Sequence, residues 1–381
     1  MAVGAAAHLR KPQAPSELSE VVIFSPPSNY TTPRVLYART AQLPNNDILA
    51  TWENYSPEPP PVYFPIYRSC DQGATWTELT HVEDQGYGYG LRYQPVLYVL
   101  PEDFAGYEAG TVLLAGSSIP TDLSSTQLDL YASTDSGATW EFVSHVAAGG
   151  EALPDNGLTP VWEPFMLLHE GALIYYYSDQ RDPAHGQKLV HQTSTDLTTW
   201  GDVVDDVAYA NYTDRPGMAT VARLPNGVYI LTYEFGGGYN PPTNDSEYTF
   251  PVYYRLASDP TAFGSVVHHP LVSSDGFVPT GSPYVVWTSV GGENGTIIVS
   301  SGCCSDVYIN QALGAEGAWV TLSTPEGSSY TRSLLVFQED DSYVLLAGGG
   351  ALPPSDKNNV TMSVMEMPVG GRNKTRVAGW K

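Results

Sequence analysis

Two glutamates in aromatic surroundings are the residues of this sequence best suited to acid–base chemistry. Glu163 lies in the segment VWEPF, and Glu234 follows Tyr233 and precedes the glycine-rich stretch FGGG. Hydrolysis of a glycosidic bond requires one carboxyl group that donates a proton and a second that is ionised. Apolar neighbours raise a carboxyl pKa by desolvation, which favours Glu163 as the acid/base. A cation such as Arg215 beside Glu234 would keep that carboxylate ionised, which suits a nucleophile.

Two further carboxylates, Glu53 and Asp179, compete for these roles or could bind sugar hydroxyls instead. Other chemistries find little support. The eight histidines lack metal-ligand spacing, the glycine-rich stretches end strands rather than open helices, and no G-x-S-x-G nucleophile elbow is present. We therefore expect neither a metal nor a cofactor.

A repeated turn motif predicts the elements that position these residues. Residues 69–76 read SCDQGATW and residues 133–140 read STDSGATW, with shorter copies at 194–200 and 258–263. A fixed period of about 60 residues indicates a repeat architecture. In such a turn Asp accepts hydrogen bonds from nearby backbone N–H groups, Gly takes a positive φ and Trp packs on the sheet. We interpret the motif as a structural turn rather than a ligand site.

A second repeat, of two apolar strands joined by a turn, lies between these motifs. Residues 333–350 form one copy, and the other five begin near Pro33, Pro95, Pro164, Pro216 and Pro283. Six copies of about 60 residues predict an all-β protein, a six-bladed β-propeller of four-stranded antiparallel blades. The last copy lacks an outer strand, which residues 20–24 (EVVIF) could supply. We expect an N-terminal tail at 1–19 and one catalytic propeller domain at 20–381.

The order of strands within a blade decides which residues meet. Because neighbouring strands are antiparallel, the start of the innermost strand and the end of the second strand lie at one mouth of the central channel. The Asp-containing turns then lie on the opposite face. With Glu163 and Glu234 as the catalytic pair, the substrate-binding residues predicted at this mouth are Arg34, Glu53, Tyr93, Gln94, Trp162, Asp179, Arg215, Tyr233 and Tyr330.

Charge and modification motifs restrict the partners. A formal net charge of −24 disfavours nucleic acid and anionic membranes, whereas a neutral polysaccharide remains a suitable ligand. The start MAVGAAA does not resemble an intact signal peptide, and no apolar run approaches the roughly 20 residues of a membrane span. Seven N-x-S/T sequons favour a secreted, extracellular protein; they are at Asn29, Asn54, Asn211, Asn244, Asn294, Asn359 and Asn373. We also expect a monomer.

Adjacent cysteines, Cys303 and Cys304, fall at the predicted channel mouth in the fifth blade. Free thiols are disfavoured in an oxidising compartment, so we expect a vicinal disulfide in the wall of the sugar site. A trans peptide holds neighbouring Cα atoms about 3.8 Å apart, closer than is usual across a disulfide, so this bond would stiffen a tight turn. Cys70, inside the first Asp-containing turn, is predicted to be a buried free thiol.

Taken together, the S-x-D-x-G-x-T-W turns and the WEPF and YEF glutamates resemble a known family. The turns resemble the Asp boxes of sialidases, and essentially the whole chain resembles the family-93 exo-α-1,5-L-arabinanases of filamentous fungi. This resemblance implies a sialidase-like six-bladed propeller with a retaining mechanism. It also implies release of arabinobiose from the non-reducing end of linear arabinan, with Glu163 and Glu234 as the catalytic glutamates.

Two alternatives remain open from the residues alone. An exo-sialidase would use Arg34, Arg215 and Arg332 as an arginine triad that grips a carboxylate. Against this, Arg34 lies in TPRVLY, and Glu53 stands where sialidases carry an aspartic acid. The other alternative is a non-catalytic carbohydrate-binding propeller. Product length and the choice between exo and endo action cannot be read from the sequence.

Overall fold

The computed structural model describes residues 14–238 and 248–368, and this part of the chain forms a six-bladed β-propeller. Its strands form four-stranded antiparallel sheets, as predicted. Among the described residues, regular helix is confined to a 3₁₀ turn at Phe263–Ser265. No helix in this part is long and apolar enough to span a bilayer.

The strands follow the chain from the channel outward in each blade. Blade 1 contains β2 (Val35–Gln42), β3 (Ile48–Asn54), β4 (Phe64–Ser69) and β5 (Thr77–Val82). Blade 2 contains β6 (Leu91–Val99), β7 (Val112–Ser118), β8 (Thr126–Ser133) and β9 (Glu141–Gly149). Blade 3 contains β10 (Val161–His169), β11 (Ala172–Asp179), β12 (Lys188–Ser194) and β13 (Val204–Val207).

The remaining blades repeat this order. Blade 4 contains β14 (Arg215–Arg223), β15 (Tyr229–Gly236), β16 (Val252–Ala257) and β17 (His268–Pro270). Blade 5 contains β18 (Tyr284–Thr288), β19 (Thr296–Ser300), β20 (Val307–Asn310) and β21 (Trp319–Leu322). Blade 6 contains β22 (Arg332–Val336), β23 (Tyr343–Gly348), β24 (Val360–Glu366) and, as its outermost strand, β1 (Leu18–Phe24).

The N-terminal strand closes the ring. β1 pairs antiparallel with β24, with Val21 opposite Met362 and Val22 opposite Thr361. The prediction that residues 20–24 supply the missing outer strand is therefore confirmed. The strand begins at Leu18, two residues inside the predicted tail, and residues 1–13 of that tail lie outside the described residues.

Apolar clusters between neighbouring blades form the core. The inner strands are buried on both faces, and all of β2 and β3 is buried. Between blades 6 and 1, for example, Trp52 stacks on Phe24 at 5.2 Å and meets Tyr67 at 4.9 Å between ring centroids. Because each aromatic side chain removes a large apolar area from water, these clusters hold the blades together and fix the channel.

The repeated turns have the structural role that the sequence predicts. Asp71 accepts hydrogen bonds from the Thr75 backbone N–H at 2.8 Å and hydroxyl at 2.6 Å, and Trp76 Nε1 donates to the carbonyl of Gly73 at 3.0 Å. Gly73 has a φ of +93°. The turn at 133–140 has the same bonds. In blade 1 the start of β3 pairs with the end of β4, so the turn at 69–76 lies at the opposite end of the blade from Glu53.

The burial predicted for Cys70 is wrong. Its thiol is free, but the residue is exposed. The neighbouring Ser69 points inward, where its Oγ accepts the N–H of Gly73 at 2.8 Å. Since successive residues of an extended chain point to opposite sides, Cys70 faces solvent.

Candidate active site

One mouth of the channel opens into a cavity of about 830 Å³. The loops from blades 2, 4 and 6 that wall it carry Leu123, Pro154, Phe250 and Leu352. Of the residues predicted for the mouth, those that line the cavity are Glu53, Tyr93, Gln94, Trp162, Glu163, Arg215, Glu234, Cys303 and Tyr330. The cavity therefore gathers carboxylate, guanidinium and aromatic groups from five blades, and Cys303 from blade 5.

A recurrent bulge shapes the inner strands at this mouth. In β2, β6, β10 and β14 the pairing with the second strand shifts register. At each shift a non-glycine residue takes a left-handed conformation: Tyr37 (φ 55°), Gln94 (φ 54°), Glu163 (φ 62°) and Met218 (φ 59°). Such conformations are uncommon for non-glycine residues and concentrate at functional sites, where bulges re-aim side chains and backbone groups.

Two of these left-handed residues, Gln94 and Met218, supply backbone N–H groups to glutamates at the mouth. Ser282, just before β18, is left-handed as well, with a φ of 45°. Each of the three glutamates accepts one such bond from the next blade: Glu53 Oε1 from Gln94 (3.0 Å), Glu163 Oε2 from Met218 (2.9 Å) and Glu234 Oε2 from Ser282 (2.7 Å). The carboxylates are thus held by main-chain donors rather than by ion pairs.

Glu163 has more hydrogen-bond donors than Glu234, the other candidate catalytic carboxyl. Glu163 is only 8% exposed, and burial raises its pKa. Oε2 accepts the Ser178 hydroxyl at 2.6 Å in addition to the Met218 N–H, and these two bonds offset part of that rise, although the pKa stays above its ordinary value. Hydrogen bonds to a carboxylate stabilise its charged form. Glu163 therefore has direct support for the ionised state.

Glu234 has less support for a negative charge. Burial, followed by the nearby charge of Glu163, raises its pKa to about 8, against a single backbone donor from Ser282. Gly217 lies between the two carboxyls: an ideal Cβ there would be 3.2 Å from Glu163 Oε2 and 3.6 Å from Glu234 Oε1. Like charges this close disfavour double ionisation, so the pair holds one proton near neutral pH.

Arg215 acts on the pair through space. Its guanidinium donates to Asn156 Oδ1 at 2.8 Å, Gln180 Oε1 at 2.8 Å and Gln187 Oε1 at 2.9 Å. The positive charge lowers the pKa of Glu163 and of Glu234. The expected cation is therefore present, but it is bound by side-chain amides rather than by Glu234.

A third carboxyl, Glu53, faces the same cavity. Its Oε2 accepts the Tyr55 hydroxyl at 2.7 Å, and burial raises its pKa to about 7. Tyr55 and Tyr93 also line the cavity, with ring centroids 6.3 Å apart. Aromatic rings beside polar groups suit the apolar faces and hydroxyls of a sugar.

Cys303 and Cys304 form a vicinal disulfide, as predicted. Cys303 lines the cavity, where its Sγ lies 3.4 Å from Ser301 Oγ and 3.5 Å from the backbone nitrogen of Thr280. The disulfide is therefore part of the cavity wall on the side of blade 5.

Known structures identify the family of this site. No protein-family model matches the chain. A structure of the family-93 α-L-arabinofuranosidase of Fusarium graminearum with arabinobiose is 58% identical, covers 92% of this chain and 98% of that one, and superposes with a TM-score of 0.90. The chain belongs to glycoside hydrolase family 93. An α-L-arabinanase of Penicillium chrysogenum complexed with arabinobiose is also 58% identical over 92% of this chain and 99% of that chain, with a TM-score of 0.89.

Other similarities to this family-93 chain are more distant. A Paenibacillus xyloglucanase is 27% identical over 177 residues, which is 44% of this chain, and the chain spans 16% of that protein's length. A sialidase from Streptococcus pneumoniae is 10% identical over 93% of this chain and 71% of that one, with a TM-score of 0.60. That level of identity shows a shared propeller fold alone.

The arginine triad of a sialidase is not assembled in the family-93 chain. Arg332 is fully buried and donates to the backbone carbonyls of Ser305 and Asp306. Arg34 donates to the carbonyl oxygens of Pro26 and Pro27 at 2.9 and 2.7 Å. Only Arg215 of the three lines the cavity. The same geometry corrects the prediction that Arg34 binds substrate, because its side chain is turned towards the N-terminal segment.

Two other predicted substrate ligands also lie outside the cavity lining, for one physical reason. Asp179 pairs with Arg181 at 2.6 Å, while its neighbour Ser178 faces Glu163. Tyr233 is fully buried and bonds the Tyr209 hydroxyl at 2.6 Å, while its neighbour Glu234 faces the cavity. Successive residues of a strand point to opposite faces, so only one of each adjacent pair can reach the site.

Several residues of the site were missed in the sequence. Ser178 and Met218 donate hydrogen bonds to Glu163, and Gln187 accepts one from Arg215, but none of the three belongs to a recognisable motif. Gly217 carried a usable signal, because a glycine inside a strand often marks a close approach of other groups. A Cβ added to Gly217 would be in contact with both glutamates and 2.8 Å from Gln187 Nε2.

Proposed function

We propose that this protein is an exo-acting, retaining glycoside hydrolase that cleaves linear α-1,5-L-arabinan from the non-reducing end and releases arabinobiose. The observation that carries the proposal is the Glu163–Glu234 pair around Gly217, at the base of a walled cavity. The two relatives at 58% identity, whose structures contain arabinobiose, support the substrate. A site enclosed by loops from several blades favours access by a chain end over binding along a polymer.

The spacing of the carboxyls supports retention. The separation of Glu163 Oε2 and Glu234 Oε1 cannot exceed the sum of their distances to the Gly217 Cβ position, 3.2 and 3.6 Å. Carboxyl groups of inverting glycosidases are roughly 6.5–9.5 Å apart, to leave room for a water, whereas those of retaining enzymes are roughly 5–5.5 Å apart. The upper limit lies below most of the inverting range.

Hydrogen bonding supports a division of roles opposite to that predicted from the sequence. Glu163, with two donors on one oxygen, suits the ionised nucleophile that attacks the anomeric carbon. Glu234, with a pKa of about 8, suits the acid that protonates the leaving oxygen. Glu234 would then take a proton from the water that hydrolyses the glycosyl–enzyme bond, returning both groups to their starting states.

The remaining cavity residues have roles in binding. We propose that Trp162, Tyr93 and Tyr330 contact the apolar faces of the sugar rings, and that Glu53, Gln94 and Arg215 bond their hydroxyls. The Cys303–Cys304 disulfide would form an uncharged wall of the same subsite.

Product analysis tests the function. Incubation with linear debranched arabinan should give arabinobiose as the first and principal product, with only a slow fall in viscosity. A ladder of longer oligosaccharides would show endo action, and turnover of a sialoside or of xyloglucan but not arabinan would overturn the substrate. Binding of arabinan without any product would indicate a non-catalytic carbohydrate-binding protein.

We also propose that the protein is a secreted monomer. Of the sequons within the described residues, Asn29, Asn211, Asn294 and Asn359 are exposed, whereas Asn54 is buried. Asn244 and Asn373 lie outside the described residues. Expression in a fungal host should place the enzyme in the medium with glycans on exposed sites, which peptide mass spectrometry after deglycosylation checks. Light scattering measures the molar mass in solution, which should be that of one chain.

A further inference from the structure

A buried arginine without an acidic partner lies beside the catalytic centre. Arg39, on β2, is 5% exposed. Its Nη1 donates to the carbonyl of Ala38 and to Thr331 Oγ1, both at 3.0 Å. The guanidinium lies over the Tyr37 ring at 4.0 Å and near the Tyr284 ring at 5.2 Å. Within residues 14–238 and 248–368, no carboxylate lies within 4.0 Å of it.

Such an arrangement is costly unless the charge serves a purpose. Buried arginines are almost always paired with an acid, because desolvation of an unpaired cation is unfavourable. Cation–π contacts with two tyrosines offset part of that cost. The charge also acts on cavity carboxyls that Arg39 does not touch.

Contacts connect Arg39 to the floor of the cavity. The Tyr37 ring, which covers the guanidinium, belongs to a small apolar cluster with Leu36 and Met218, and Met218 is the backbone donor to Glu163. Thr331, its hydroxyl partner, follows the cavity residue Tyr330. The charge of Arg39 acts on two of the three cavity carboxyls, lowering the pKa of both Glu53 and Glu163.

We propose that Arg39 is a positioning residue that keeps Glu163 ionised by a through-space charge from beneath the cavity. The proposal rests on the catalytic role given to Glu163. The other charged or titratable groups that face Glu163 are Tyr37, Glu53, Arg215, Glu234 and Tyr330. Two cations, Arg39 and Arg215, thus balance two of three carboxyls, and the third carries the proton.

Replacement of the charge tests this role. Arg39→Met and Arg39→Gln remove the positive charge. Arg39→Lys keeps the charge but loses the planar guanidinium group. The measurement is the pH dependence of kcat/KM on an arabinan oligosaccharide. Without the cation the pKa of Glu163 rises, so the acidic limb should move to higher pH by on the order of one unit, with roughly tenfold lower activity below that limb. Arg39→Lys should keep the wild-type limb.

Controls separate charge from structure. Arg223→Met removes an exposed charge from another inner strand, β14 of blade 4, and should leave the limb in place. An unmoved limb in both neutral variants, an equal shift in Arg39→Lys, or failure of both neutral variants to fold would each overturn the proposal.

A second readout does not depend on turnover. Infrared difference titration of the carboxyl band that disappears in Glu163→Gln reports the pKa of Glu163 directly, and Arg39→Met should raise it. If Glu163→Gln kept full activity, the proposed mechanism would fall, yet this titration would still decide whether Arg39 sets the Glu163 charge.

Discussion

The backbone N–H of Met218 donates a 2.9 Å hydrogen bond to Oε2 of Glu163, which reaches it from the preceding blade. Met218 can do this because it takes a left-handed conformation in a bulge of β14. A main-chain donor has no rotamers to lose and keeps its place when side chains are replaced. The position of the proposed nucleophile therefore depends on the path of an inner strand.

Removal of either carboxylate should abolish most of the activity without unfolding the protein. Glu163→Gln and Glu234→Gln keep the shape of each side chain, so kcat should fall by about 10²–10⁴-fold, the usual contribution of acid–base catalysis. Kinetics on linear arabinan measure this. Asp206→Asn, at a fully buried carboxyl beside His191, should keep near-normal kcat. Near-normal kcat in either glutamine variant would remove that residue from the mechanism.

Azide distinguishes the two glutamates. With an aryl arabinoside that needs little acid assistance, azide should restore turnover to both alanine variants, but with different products. Glu163→Ala should give a glycosyl azide of inverted configuration, because azide replaces the nucleophile. Glu234→Ala should give the retained configuration, because azide attacks a glycosyl–enzyme intermediate. The opposite pair of products would restore the assignment made from the sequence.

A methyl group at Gly217 should disturb catalysis more than stability. In Gly217→Ala the new Cβ would lie 2.8 Å from Gln187 Nε2 and against both carboxyls, so these groups must move apart. Misplacement of this size costs about 10²-fold in kcat. Gly327→Ala, whose Cβ would meet nothing within 4 Å, is the matched control and should be neutral. Equal kcat values in the two variants would contradict the close approach.

The proton on Glu234 makes stability depend on pH. Its pKa of about 8 in the folded protein exceeds the ordinary value of 4.5, so the native state binds the proton more tightly. The free energy of unfolding therefore falls as pH rises from about 4.5 through 8. Glu234→Gln removes this loss and should raise Tm at pH 8 by about 2–5 °C, with a smaller effect at pH 5. Glu102→Gln, an exposed change of equal charge, controls for net charge. An equal Tm change at both pH values would argue against a protonated Glu234.

The vicinal disulfide should matter for substrate binding. Under denaturing, non-reducing conditions thiol titration should find one free thiol per chain, that of Cys70, and three would contradict the bond. Replacement of both bonded cysteines by serine should raise KM for arabinan oligosaccharides several-fold with a smaller change in kcat, because uniform binding is lost. Cys70→Ser, on the opposite face, should leave KM unchanged.

Repeats predicted the architecture, but the direction of individual side chains was harder to predict. The Asp-containing turns and six strand pairs are local patterns, so the blade count, the closing strand and the place of Glu163 and Glu234 at one mouth followed from them. Asp179 and Tyr233 were misplaced because successive residues of a strand point to opposite faces, and their neighbours Ser178 and Glu234 are the ones that face the site. Arg34 was misplaced because its side chain bonds backbone carbonyls of the N-terminal segment. No sequence signal reveals that Met218 is left-handed, since any such preference belongs to glycine.

The closure of blade 6 by β1 affects when the protein can fold relative to its synthesis. Three strands of that blade are the last to leave the ribosome, while the fourth is the first, so the toroid cannot shut until synthesis has reached β24. Until then β1 has no partner edge, and the half-built cavity is open on one side. The β1–β24 pairing is also the place where the finished ring can open. A pulling force on the segment before Leu18 would detach β1 and expose its apolar side chains to solvent.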